Sequence, residues 1–597
     1  MYKQFVPCLL VLSLSACQVN QSAPQDPTAQ PTTASTSTEH QQLQSYIDRA
    51  WQLRVDASPD LAYSNGNKQA AGKLVDLSPE SLANMDTKEL KLLNELKQLD
   101  TSKLNKEDKI NAQILQYQLQ NSVDQYHYKE HYLPISSESG FHAYIASIAK
   151  GRFNTQEDYQ NYIAKLKALP TYFAQQTYWL KLGLASGITA PKVTLNGFED
   201  SISAFIVPVE ESGYFAPFTH YPKHFSKQEK QQLTEQGKDL VANTVMPTYQ
   251  AFFDFMTKEY IPGARTTIGA STLPDGREYY ENRVRYFTTL NMTADEVHEL
   301  GLKEVKRIRA EMQAVIDKVG FEGDFAAFLK FLRTDPQFYP KTPLELLEYA
   351  SYIAKKADAI LPKYFGKLPR KPYGIQEVPL EIAPKYTTGR YSGSNRDDEP
   401  GYYWVNTYAL DKRPLYEMEA LTLHEAVPGH HLQISLNQEL TSLPNFRRYS
   451  YISAFGEGWG LYSEHLGLEA GFYKDPYSNF GRLTYEMWRA ARLVVDTGMH
   501  AKGWSRQQAL DFMANNTALS MHNVTTEIDR YITWPGQALS YKIGELTIKR
   551  LRHKAEQALG EKFNIRAFHD AVLANGSVPM ELLEQQIDDF IAEQAAK

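Results

Sequence analysis

Eight residues, His424-Glu425-Ala426-Val427-Pro428-Gly429-His430-His431, constrain this chain more than any other stretch. They hold three imidazoles and a carboxylate, in a chain with 15 histidines among 597 residues. A His followed directly by Glu, with another His further along, is how zinc hydrolases hold their ion. The imidazoles ligate Zn2+, and the Glu, which is not a ligand, takes a proton from the metal-bound water. In the usual His-Glu-x-x-His spacing, i and i+4 share a helix face. Here the second His comes at i+6 or i+7. In a regular helix i+6 lies roughly 120° from i, and i+7 lies within about 20° of it but two turns away. Pro428 lacks an N–H and its ring clashes with the His424 carbonyl, so a kink or bulge is expected there. A two-residue bulge would bring His430 to the place that i+4 fills. His424 and His430 are therefore the expected ligands. His431 is the alternative ligand, or a group facing substrate.

A zinc site needs a third protein ligand. Glu457, Leu461 and Glu464 fall at i, i+4 and i+7 of one helix face. Glu457 is the expected ligand, and Glu464 the acceptor that orients a ligand His; the reverse assignment stays open. Gly456, Gly458 and Gly460 are poor helix formers that would let another helix or a substrate come close. Further on, Arg489, Arg492, Asp496 and His500 share one helical side. Arg492 and His500 would grip substrate and Asp496 would support the site, or the stripe is a structural ladder of charges. A peptidase also needs a donor for the tetrahedral oxyanion, for which Tyr541 and Tyr531 are candidates; Lys542 could bind a substrate carboxylate.

The N-terminus reads as an address. Lys3 precedes an apolar run from Phe5 to Leu14, then Ser15-Ala16-Cys17. The run is too short to span a bilayer. It resembles a bacterial lipoprotein signal, residues 1–16, cleaved so that Cys17 carries lipid. Gln18 in place of Asp favours the outer membrane, facing the periplasm, with the anchor as the sole membrane contact. Cys8 leaves with the signal and Cys17 is consumed, so thiol chemistry is excluded. Residues 17–39 are rich in Ser, Thr, Gln, Ala and Pro and read as a flexible tether. The net charge of −7 gives no basic footprint for nucleic acid. No feature of the sequence sets an oligomeric state.

From residue 40 the pattern is mostly helical, with an N-terminal half over 40–263 and a catalytic half over 264–597. Ile110, Ile114, Leu115 and Leu119 mark one buried face. A helix is expected from Thr155 to Pro170, another after Pro191, and one or two over 226–260 interrupted at Pro247. Residues 264–290 read as two short strands around Pro274-Asp275-Gly276. Thr293-Ala294-Asp295-Glu296 is a capping box whose helix stops at Gly320. Val378 to Ile382 and Tyr402 to Thr407 read as strands, and Gly389 to Gly393 as a flexible loop. The expected fold is mostly α, with a deep cleft and a small antiparallel sheet beside the site.

His424 to Gln433, the Glu457 helix, Arg489 to His500 and Asp529 to Gly544 together resemble a bacterial lipoprotein family known as domain of unknown function 885. The likeness covers nearly all of residues 40–597. That family is in turn similar to the helical gluzincin peptidases of the thimet-oligopeptidase and angiotensin-converting-enzyme type. His424-Glu425 with Gly429-His430 looks like their His-Glu-x-Gly-His, with two extra residues at Pro428. The Glu457–Glu464 pair looks like their ligand helix, and Ser540-Tyr541 before Glu545 like their oxyanion-stabilising segment. The resemblance implies a zinc metallopeptidase acting on short peptides. The other readings are a zinc hydrolase of a non-peptide amide or ester, and an inactive peptide-binding lipoprotein.

Overall fold

The computed structural model describes residues 37–597 apart from 381, 395 and 397. The expected signal peptide, Cys17 and nearly all of the tether lie outside the described residues. Thr38 and Glu39, at the tether's end, already open the first helix, Thr38–Ala57.

The chain is mostly α, with one small sheet. Side-chain capping starts many of its helices. At Thr155, Ser226, Thr293 and Ser505 the cap is reciprocal, which satisfies two orphan donors at once. The Thr293 helix runs Ala294–Val319 and stops at Gly320.

Several elements differ from the sequence reading. The Thr155 helix passes through Pro170 and ends at Ser186. Leu166 and Leu169 before the proline and Phe173 and Leu180 after it are all buried, so packing on both sides outweighs the break. Pro191 precedes only a 3-10 turn, Lys192–Leu195. Pro247 does not interrupt its segment, where π-helical turns at Val241–Val245 and Met256–Tyr260 flank the helix Met246–Phe255. Residues 264–290 form no strands. They make a 3-10 turn at Ala270–Thr272 and a helix at Gly276–Thr288. Tyr280, Val284 and Phe287 of that helix are buried at i, i+4 and i+7, so burial of one helical face overrides the β-branched and aromatic bias.

The sheet has strands β1 (Tyr373–Glu377), β2 (Gly389–Ser392) and β3 (Gly401–Val405) in the order β1-β3-β2. It is mixed rather than antiparallel: β1 runs parallel to β3 and β2 antiparallel to it. The strand expected at Val378–Ile382 lies earlier, as β1, and the expected loop at Gly389 is β2. Tyr391 opposite Tyr403 and Arg390 opposite Trp404 pair large side chains across the strands, which favours the ordered edge.

Two main cores organise the packing. One joins Leu43–Leu119 to residues from Val305 to Phe590. The other holds Ile135–Ala264. The first helices thus pack with the C-terminal half, and only the second part of the N-terminal half has a core of its own. Through the larger core runs Pro476–His500, buried on every side from Phe480 onward. Beside it the helices Ser453–Glu469 and Ser540–Leu559 touch backbone to backbone: a Cβ on Gly458 would lie 2.5 Å from the Gly544 Cα. This contact carries Glu457 and Tyr541 to the same place. Gly458→Val is expected to cost about 1–3 kcal/mol through overpacking. Thermal denaturation checks it; an unchanged Tm would mean that the two helices part freely.

Candidate metal centre

The stretch Met418–Glu425 is one helix and His430–Glu439 another. The expected bulge is instead a full stop and restart. Ala426 leaves helical space at ψ −111°, the Val427–Pro428 bond is cis, and Gly429 turns the chain back onto the His424 carbonyl, where a Cβ would clash. Trp459 Nε1 donates to the Pro428 carbonyl at 2.8 Å and ties this break to the Glu457 helix. His430 thereby becomes the first residue of a new helix, with its ring edge-on to His424 at 4.7 Å.

Three ligand-type atoms, one each from His424, His430 and Glu457, lie within 4.8 Å of one another. Glu457 Oε2 is 3.3 Å from His430 Nε2 and 3.6 Å from His424 Nε2. His424 Nδ1 is hydrogen-bonded to Glu464 Oε1 at 2.7 Å, which leaves Nε2 to face the trio. Arg489 Nη2 lies 3.5 Å from the same Glu464 oxygen. Two imidazoles and a carboxylate, with an acceptor behind one imidazole, make a donor set that fits Zn2+.

Electrostatics point the same way. Burial alone would lower the His424 pKa, but its hydrogen bonds to Glu457 and Glu464 outweigh burial and raise it to about 10. Burial would raise the Glu457 carboxyl, and the two histidines hold it well below the usual range. A proton on His424 thus sets an imidazolium against the Glu457 carboxylate within the trio.

Around the trio opens a cleft of about 410 Å3. Glu425 lines it, and its Oε2 accepts the Tyr391 N–H of β2 at 2.8 Å. Tyr541 stacks on His424 with 6.3 Å between ring centres. Tyr451, missed by the sequence reading, lies 43% exposed in the cleft, within electrostatic reach of Glu457. Arg390, Arg489, Arg492 and Arg530 also line it. No motif marks Tyr451, Arg390 or Arg530; they meet through the fold alone.

Five expected site residues lie elsewhere. His431 turns roughly 100° from its neighbour around the helix. It is buried against Tyr373, bonds Tyr391 Oη through Nδ1 at 3.0 Å, and is outside the trio. Tyr531 is buried behind the cleft wall and accepts from Arg492 Nε at 2.6 Å and Trp488 Nε1 at 2.8 Å, so it braces arginine instead of meeting an oxyanion. The Lys542 ammonium is fully buried among Glu486 at 2.8 Å, Glu545 at 2.9 Å and Glu304 at 3.3 Å, and has no reach to substrate. His500 accepts the Ala270 N–H and donates to the Tyr531 carbonyl. Asp496 bonds Tyr280 and the Gly536 N–H and touches no ligand. These last two serve the packing through hydrogen bonds, and among the described residues neither makes an ion pair, so no ladder of charges forms at them.

A family model described as "Bacterial protein of unknown function (DUF885)" matches residues 59–587. The chain belongs to this family. Among solved structures, it is similar to a "putative lipoprotein" from Colwellia psychrerythraea, with 28% identity and a TM-score of 0.84 over 93% of this chain and 100% of that one. It also shares its fold with a "putative lipoprotein of unknown function" from Shewanella oneidensis, with 19% identity and a TM-score of 0.66 over 92% and 99% of the two chains. No curated protein matches it. No helix among the described residues is long and apolar enough to cross a membrane.

Removing the acceptor behind His424 tests the assembly. Glu464→Gln is expected to weaken Zn2+ binding roughly 10–100-fold, as read by competition with a chromogenic chelator. The proton on His424 gives a second test. Its pKa of about 10 lies above the ordinary 6.5, so the stabilisation of the metal-free chain is full below pH 6.5 and is lost as pH rises through about 10. Uptake of Zn2+ near neutral pH must then release about one proton. Calorimetry in buffers of different ionisation enthalpy counts it.

Proposed function

We propose that this protein is a zinc-dependent metallopeptidase of short peptides, with Zn2+ held by His424, His430 and Glu457. The observation that carries the reading is the meeting of these three side chains in one cleft, with Glu425 beside them. Zinc there supplies a Lewis acid that makes water nucleophilic near neutral pH. Glu425 takes the proton of the attacking water and returns it to the leaving amine. The Tyr391 N–H fixes the Glu425 carboxylate, so one oxygen is anchored and the other is left for the proton. Tyr541, stacked beside His424, stabilises the oxyanion.

The edge strand β2 is the natural track for an extended peptide. Among the described residues it pairs only with β3, and Gly389 to Tyr391 line the cleft. The Tyr391 N–H is given to Glu425, which sets the catalytic carboxylate and the track at a fixed offset. The Cys-preceding signal and the likeness to proteins described as lipoproteins support a lipid anchor at Cys17, with the enzyme on the outer membrane facing the periplasm.

Glu425→Gln is expected to keep stoichiometric zinc while kcat/KM on short peptides falls by about 10^2–10^4. Metal analysis with a peptide-cleavage assay checks both halves. Hydrolysis near the wild-type rate would sink the mechanism, and a wild-type protein that binds no zinc would sink the assignment.

A further inference from the structure

The doubled histidine His430-His431 is only half used by the metal centre. His431 is 2% exposed and stands outside the trio. Its ring packs instead on one tyrosine from each of two strands, Tyr373 of β1 at 4.6 Å and Tyr391 of β2 at 5.4 Å between ring centres. A buried imidazole needs a hydrogen-bond partner. Nδ1 finds it in the Tyr391 phenol, 3.0 Å from Oη, with Ser435 Oγ of the same helix at 3.3 Å. The phenol is closely seated: a Cβ on Gly401 of β3 would strike its oxygen.

The other end of Tyr391 is tied to the chemistry. Its backbone N–H donates to Glu425 Oε2 at 2.8 Å. One residue thus holds His431 by its side chain and Glu425 by its main chain. The His431 N–H in turn donates to the Ala426 carbonyl at 3.1 Å, across the break between the two helices. The contacts close a ring: Glu425, the break, His431, the Tyr391 phenol, the Tyr391 N–H, and Glu425 again.

That ring answers a weakness of the sheet. Among the described residues β2 is hydrogen-bonded to a neighbouring strand on one side only, so its outer edge gets no hold from the ladder. A catalytic group held by such an edge is exposed to its movement, and a misplacement of about 1 Å can cost roughly 100-fold in rate. The bond from His431 pins the strand to the helix that begins with the ligand His430.

We propose that His431 is a positioning residue: by holding the Tyr391 phenol it fixes β2 and, through the Tyr391 N–H, sets the Glu425 carboxylate where it takes the proton of the attacking water. The proposal rests on the peptidase reading and gives the second histidine of the pair its task. A role in packing alone would lower the Tm and leave the kcat of the folded, zinc-loaded enzyme unchanged.

Four variants test it, with rates expressed per bound zinc: His431→Leu, Tyr391→Phe, the two combined, and His431→Asn. Each of the first two is expected to lower kcat roughly 10–100-fold with KM within about 3-fold. The double variant should fall no further than the worse single one, because both break the same link. His431→Asn should recover most of the rate, since its amide puts a donor or an acceptor where Nδ1 stood, whichever tautomer the imidazole holds. Amide hydrogen exchange over residues 390–392, measured without substrate, should run about 10-fold faster in both single variants and near the wild-type rate in His431→Asn. Wild-type kcat in Tyr391→Phe, additive losses in the double variant, or unchanged exchange over 390–392 would each overturn the proposal. Should His431→Leu lose zinc, Tyr391→Phe decides, because it leaves the ligand helix untouched. A wild-type enzyme that cleaves no peptide would instead strike the peptidase reading, and the exchange measurement would still decide whether His431 holds the strand.

Discussion

Glu457 is a carboxylate brought into a largely buried place opposite two imidazoles, and the rest of the site is arranged around that charge. An isolated ion there would be prohibitively costly, so the interior must offer compensation. His424 and His430 give it directly, and Glu464 with Arg489 extends it one shell outward. A cation at the centre satisfies all of these groups at once. A proton on His424 compensates the same carboxylates when no cation is bound.

The helix Pro476–His500 shows how one element serves both stability and the site. Arg482 and Glu486 point into a buried seam with Lys542, Glu304 and Arg307. Arg489 and Arg492, one and two turns on, reach the cleft instead. The seam locks the helix against its neighbours, because removing any member would strand a buried charge. That rigidity is what holds the cleft arginines in place, with Tyr531 and Glu527 bracing Arg492 from behind. Membership of a family without an assigned activity leaves such local geometry as the ground for reading function.

Local chemistry made part of this legible in the chain. The Thr293 capping box and the stop at Gly320 depend on neighbouring residues alone, and they mark a helix in the fold as they do in the sequence. His424, His430 and Glu457 stood out because few other reasons put such residue types so close to a break and on one helix face. The strands expected at 264–290 failed because propensity is a weak local bias, and burial of Tyr280, Val284 and Phe287 against distant helices outweighed it. Lys542 and His431 failed for another reason. Each sits next to a cleft residue in sequence, and about 100° per residue around a helix carries the neighbour into the core.

By itself the sequence determined which groups were available: the imidazoles, the ligand-type carboxylates, the helix signals and the Pro428 that disfavours a continuous helix. Only the tertiary structure decided which of them meet. It chose His430 over His431 by restarting the helix there, placed Tyr451, Arg390 and Arg530 on one cleft, and buried Lys542 among three glutamates. Those choices belong to packing between segments far apart in the chain, which no local pattern encodes.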